Sequence, residues 1–443
     1  MLSKGHPKGL YLCFSVEMWE RFSFYGMRAI LVLFMMKALM FSTEKSGQLY
    51  GWYLGLVYLT PLIGGYVADR VWGQNKAIIF GGIVMAIGQY ILAAVAFMDP
   101  AVVTSSYMWL FYLSLLTIII GCGFIKANIS TAVGTLYERN DPRRDGAYTI
   151  FYMGINLGAL LSPLVCGTLG ERMGWGYGFA SAATLMLIGV INYVMFNKKL
   201  LPDAVFHPAA SKKTKDGSHV SHEPLTKEER QRIAVIFIMA FFVIFFWSAF
   251  EQAGSSLTLF AENSTNRNLV IGGWSWMVPT SWFQTLNPLF IVALAPVFSL
   301  MWVRLSVKKM EPSTVYKFVW GLVLVSLGFV VMVFAAKANN YGPVSMWWLI
   351  IAYLVQTLGE LCLSPVGLSL VTKLSPVRFT SLLMGTWFTA NFIANLVSGL
   401  FAGNYDAMDH VQFFMMPVMT AGGAAILLLL LAKPIKKWMH GVH

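Results

Sequence analysis

The chain has 443 residues, of which 57% are hydrophobic and only 12% charged, with a mean hydropathy of +0.65. Soluble domains carry about twice that charged fraction, so a soluble globular protein is excluded. The net charge of +12 does not imply nucleic acid, because basic residues collect in the cytoplasmic loops of membrane proteins.

In chain order, the basic start "MLSKGHPKG" runs directly into an apolar segment that has no small-residue cleavage site. It reads as a retained first span rather than a signal peptide. Runs of roughly 20 apolar residues, each long enough to cross the bilayer, then recur. Twelve spans are predicted, centred near residues 24, 58, 87, 120, 156, 187, 245, 292, 325, 358, 391 and 421. With the N-terminus inside, five of the 32 Lys and Arg fall in outer loops (Lys37, Lys45, Arg172, Arg267, Lys337) and three inside spans (Arg21, Arg28, Lys126). All others are cytoplasmic, which fixes the orientation with both termini inside. The expectation is an all-α membrane protein: residues 1–197 as one six-helix half, 198–231 as a polar cytoplasmic connector, and 232–443 as a second half.

Cys13, Cys122, Cys166 and Cys362 all fall in apolar segments, with no disulfide or metal spacing. The connector histidines His207, His219 and His222 are too irregularly spaced for a metal site. Two six-helix halves suggest a transporter of the major facilitator type, with substrate held between the halves near the midplane. "GGYVADRVWGQNK" (64–76) resembles the loop motif of such transporters, and Asp69 and Arg70 are expected to pair across its turn.

The first span contains "EMWERFSFYG" (17–26) and Arg28. At 100° per residue, Glu17, Glu20, Arg21, Phe24 and Arg28 share about 100° of helix surface, with Tyr25 at its edge. Lys126 lies 13 residues before Arg139, and Glu360 lies 13 before Lys373, each about 20 Å from the cytoplasmic flank at ~1.5 Å per residue. Glu20 and Arg21 reach the same depth. Arg28 and Glu251 lie at a second level, in the outer half. Each such charge costs roughly 2.5–3.5 kcal/mol at a helix centre on insertion scales. These seven groups must therefore face a polar interior and pair there. Arg28 (span one) with Glu251 (span seven), and Lys126 (span four) with Glu360 (span ten), sit on corresponding helices of the two halves with opposite charges. They are expected to be gate salt bridges. No nucleotide-binding, protease or hydrolase motif is present, so an enzyme or an ATP-driven pump is not expected.

"EMWERFSFYG" resembles the E-x-x-E-R-F-x-Y-Y-G motif of the proton-dependent oligopeptide transporter family. "GGYVADRVWGQNKA", "YTIFYMGINLGAL" (148–160), "FWSAFEQAGSSL" (246–257) and "GELCLSPVGLSLVTKLSP" (359–376) also resemble that family's segments, in order and over nearly the whole chain. Phe24 departs from the motif, removing one hydroxyl, and the connector is too short for the two extra helices that many bacterial members carry. The resemblance implies a bacterial inner-membrane symporter of di- and tripeptides, and of peptide-like drugs, working as a monomer with protons and no cofactor. Amino acids or nitrate are the alternative solutes, although nitrate has no use for a cation-binding pole at Glu360.

A peptide zwitterion needs an anion-binding pole, supplied by Arg21, Arg28 and Lys126, opposite a cation-binding pole, supplied by Glu360; the resemblance gives the same assignment. Asn156 and Asn287 resemble the family's asparagines that hold the peptide backbone and amino end. Tyr25, Tyr58, Trp282 and Trp387 are candidate aromatic walls. Glu17 and Glu20, beside Arg21 and Lys126, are the expected proton site. Gly and Pro in "SPVGLS" (364–369) and "MGTWF" (384–388) mark places where gate helices can bend.

Overall fold

The structure is a computed structural model that describes all residues except 1–4, 139–140, 142, 209–224, 377–378 and 442–443. His219, His222 and the middle of the connector, residues 209–224, lie outside the described residues. Twelve long helices occur among the described residues: α1 (Lys8–Lys37), α2 (Thr43–Val67), α3 (Gln74–Phe97), α4 (Met108–Thr135), α5 (Arg144–Ser162), α6 (Trp175–Leu200), α7 (Lys227–Phe250), α8 (Leu286–Val307), α9 (Thr314–Asn339), α10 (Trp347–Leu374), α11 (Thr380–Gly403) and α12 (His410–Trp438). Nine of the described helical segments are long and apolar enough to cross a membrane. The remaining three long helices are α1, α2 and α11, and α1 carries the charge stripe. The twelve-helix, multi-pass architecture expected from hydropathy is the one observed.

The described chain forms two compact units. The first comprises residues up to Phe41 and Leu56–Asp216, and the second comprises Ser42–Gly55 and Gly217 onward. The first part of α2 thus belongs to the second unit. Within the first unit, α1 packs on α5 and α6, and α3 on α4 and α6. Within the second, α9 packs on α10 and α12, and α7 on α11. α7 begins in a capping box: the Thr226 hydroxyl accepts from the Glu229 amide while the Glu229 side chain accepts from the Thr226 amide, satisfying two of the donors a helix start leaves open.

Two features were not read from the sequence. The outer connection from α7 to α8 carries an antiparallel hairpin, β2 (Asn268–Ile271) with β3 (Trp274–Met277), beside a short parallel pair, β1 (Thr265–Asn266) with β4 (Val344–Ser345). The hairpin turns at Gly272 and Gly273, both at positive φ (55° and 84°), as the favoured two-residue turn requires. In addition, Ala68–Trp72 forms a π-helical turn at the end of α2. The expected Asp69–Arg70 pair does not form there, because neighbours along a helix diverge by about 100°. The Arg70 guanidinium instead lies over the Tyr66 ring, 5.0 Å from its centre.

Candidate functional site

The charge stripe of α1 survives in a single unbroken helix. Glu17, Glu20, Arg21 and Arg28 are all buried, none more than 7% exposed. Arg21 Nε donates to Glu17 Oε1 at 2.8 Å and lies equally close, 2.8 Å, to Glu20 Oε2. Its N–H points at Glu17, so Glu20 Oε2 is a contact of charge without a hydrogen bond, and Glu17 Oε2 likewise accepts none. One guanidinium therefore faces two carboxylates, each with an oxygen that lacks a donor among the described residues.

Lys126 of α4 lies close enough to Glu20 and Arg21 to act on their charges. Its ammonium sits 3.8 Å from the centre of the Tyr58 ring of α2, well inside the cation–π range of about 6 Å. The Arg28 guanidinium is 5.7 Å from the Tyr25 ring. Asn156 of α5 is buried, and its amide nitrogen donates to the Tyr152 carbonyl at 2.9 Å. The first unit thus brings Glu17, Glu20, Arg21 and Lys126 together, with Tyr58 under the lysine. α1 can approach α5 closely beside Arg21 because residue 158 is glycine: a Cβ there would stand 2.3 Å from the Met18 carbonyl oxygen and 3.0 Å from Arg21 Cβ.

In the second unit, the Asn287 amide of α8 donates to Glu360 Oε2 of α10 at 2.8 Å and to Thr357 Oγ1 at 3.1 Å. Thr357 was missed from sequence, although it lies one turn before Glu360 and so shares its helix face. Glu251 is buried in the 3-10 turn Glu251–Gly254 that ends α7, rather than inside a regular helix. Next to it, Gln252 donates to the Ser398 carbonyl of α11 at 2.9 Å and to its hydroxyl at 3.0 Å. Trp282 packs on Trp276 of the hairpin, ring centres 4.8 Å apart. Trp387 is buried, its ring 6.2 Å from Phe318. α10 and α11 pass through the expected bend sites, including Pro365, as continuous helices.

A family model described as the POT family matches residues 75–205 and 209–418. The chain belongs to the POT family. It is 36% identical to an uncharacterised transporter of Bacillus subtilis, over 99% of this chain and 96% of the relative. It is 34% identical to a peptide transporter of Yersinia enterocolitica (99% and 96%) and 31% identical to a di-/tripeptide transporter of Lactococcus lactis (99% and 98%). Among solved structures, a POT peptide transporter in complex with sulfate superposes with a TM-score of 0.88 at 33% identity, covering 100% of this chain and 97% of that one. A POT family transporter in complex with 5-aminolevulinic acid gives 0.87 at 28% identity, covering 98% of each. The family expected from the α1 motif is thus the family found, and the fold is that of its peptide transporters. This chain is a multi-pass protein of the bacterial inner membrane.

Proposed function

We propose that this POT family member imports di- and tripeptides by proton symport through alternating access, as a monomer that catalyses no covalent reaction and uses no cofactor beyond the coupling proton. The observation that carries this reading is the division of charge. The first unit gathers the cations Arg21, Arg28 and Lys126, while the second offers the buried carboxylate of Glu360, oriented by Asn287. A zwitterion whose ends are separated by ~3.3–3.6 Å per residue needs both poles. The peptide carboxylate goes to the cations and the amino end to Glu360 and Asn287. Asn156 contacts the backbone, and Tyr25, Tyr58, Trp282 and Trp387 wall the side chains.

Glu17 and Glu20 carry the proton. Two buried carboxylates share one guanidinium, and protonating one of them removes the repulsion between their like charges. Lys126 responds to the same charge and links proton uptake to the substrate carboxylate. Arg28 with Glu251, and Lys126 with Glu360, serve as gate pairs that break and re-form during the cycle.

Labelled dialanine uptake into proteoliposomes, acidic outside, with and without a protonophore, tests the reading. Accumulation above equilibrium that collapses with the gradient is expected; no uptake by protein that still binds ligands would overturn it. The 5-aminolevulinic acid bound by one relative favours a second reading, a single small molecule with amino and carboxylate ends, since the same poles suit it. Competition between dialanine and such a solute ranks the two.

A further inference from the structure

A cavity of about 540 Å³ lies in the second unit, at the cytoplasmic ends of α8, α9, α10 and α12, and none of the transport residues above lines it. Its volume falls within the range of small-molecule sites. Lys309, Lys317, Lys373 and Lys436 line it together with a single acid, Glu311. Glu311 is already paired: Lys317 Nζ lies 2.5 Å from its Oε1, and that hydrogen bond, with the charge of Lys373 beside it, holds the carboxyl below the usual carboxylate range. With Glu311 ionised, the lining carries a net three positive charges.

The start of α9 faces the same space. Ser313 occupies the N-cap position without a side-chain cap hydrogen bond, the first turn holds no acid, and Ser313 and Thr314 line the cavity. The Ser313 hydroxyl oxygen is buried without a partner among the described residues. An uncapped helix start offers free N–H groups and the positive end of the helix dipole to an anion.

Lys309 adds an independent observation. It ends α8 at φ 55°, in the left-handed position where glycine is preferred. The hydrogen bonds Lys309 N to Ser306 O and Met310 N to Leu305 O complete that helix-ending motif. A lysine thus holds a position where glycine would be easier, and its side chain lines the cavity. Beside it, Val307 and Met310 are 80% and 67% exposed, an apolar rim next to a cationic site. Basic pockets between transmembrane helices on the cytoplasmic side suit phosphorylated head groups.

We propose that this cavity binds a phosphate group at the cytoplasmic face of the second unit, carried by an anionic phospholipid or by a soluble phosphate. The ordinary alternative is a set of solvated lysines obeying the positive-inside rule, and the two make different predictions. The full chain, purified in zwitterionic nanodiscs, would be titrated with phosphatidylglycerol and, separately, with inorganic phosphate. Binding would be read by native mass spectrometry and by the shift in unfolding temperature.

At roughly 1 kcal/mol per lysine near such a surface, Lys309→Gly should weaken binding about fivefold. Because glycine suits the left-handed position, that variant should unfold at the same temperature as the parent or higher, which separates binding from folding. Lys309→Gly combined with Lys436→Gln should weaken it about 30-fold. Lys198→Gln with Lys199→Gln, an equal charge loss at the end of α6 in the first unit, should leave it unchanged. A response to phosphatidylglycerol assigns the lipid and a response to phosphate alone assigns the soluble anion; both support the site. Equal loss in the α6 control, parent-like binding in the cavity variants, or binding of neither probe would overturn it.

Discussion

The ammonium of Lys126 rests 3.8 Å from the centre of the Tyr58 ring. The ring face supplies the attraction, so the hydroxyl is dispensable to this contact. A cation–π contact is worth about 0.5–2 kcal/mol. Tyr58→Phe is expected to keep dipeptide uptake near the parent level, whereas Tyr58→Leu should raise KM by roughly two- to 30-fold. Uptake kinetics in proteoliposomes decide it, and equal behaviour of the two variants would remove the ring face from the account.

Glu20 lies beside Arg21 without a hydrogen bond at Oε2. Glu20→Gln keeps the shape and removes the titratable group. Gradient-driven accumulation should fall to a ratio of about one, while peptide counterflow across the same vesicles persists because binding does not need a carboxylate that cycles its proton. Retained uphill accumulation would exclude Glu20 from coupling.

The Asn287 amide holds Glu360 Oε2 at 2.8 Å. Hydrogen bonds to a charged group contribute about 1.5–3 kcal/mol. Asn287→Ala should weaken peptide affinity by roughly tenfold or more, measured by competition binding. N-acetylated dialanine, which lacks the cationic amine, should lose far less between parent and variant. Equal losses for both ligands would mean that Asn287 acts only on packing.

The close crossing of α1 and α5 at Gly158 sets the position of Arg21. Gly158→Val places carbon atoms within the contact distance of Met18 and Arg21. Overpacking of this kind costs about 1–3 kcal/mol. Lower thermal stability on fluorescence-detected size exclusion, with reduced uptake by the protein that remains folded, is the expected result. Parent-like values for both would show that α1 has room to move.

The membrane fold was legible in the sequence because hydrocarbon allows only helices that satisfy their own backbone, so apolar runs and loop lysines determined helix number and orientation. The charges of α1 were equally legible: an ionised group inside a span has no bland explanation, and helical periodicity puts Glu17, Glu20 and Arg21 on one face. What the sequence did not determine was the partner of each group. Arg21 sits between two carboxylates but bonds only one, and Lys126 has Tyr58 beneath it. Arg70 turns to Tyr66 instead of Asp69, and Glu360 is held by Asn287 with Thr357 at its side. Within one helix, as for Arg21 and Arg70, the choice turns on side-chain rotamer and N–H direction. Between helices far apart in the chain, as for Lys126 with Tyr58 and Asn287 with Glu360, it turns on distances of a few ångströms that tertiary packing alone sets. The outer hairpin and the lysine-lined cavity likewise arise from loops and helix ends, where no hydrophobic period marks the structure in advance.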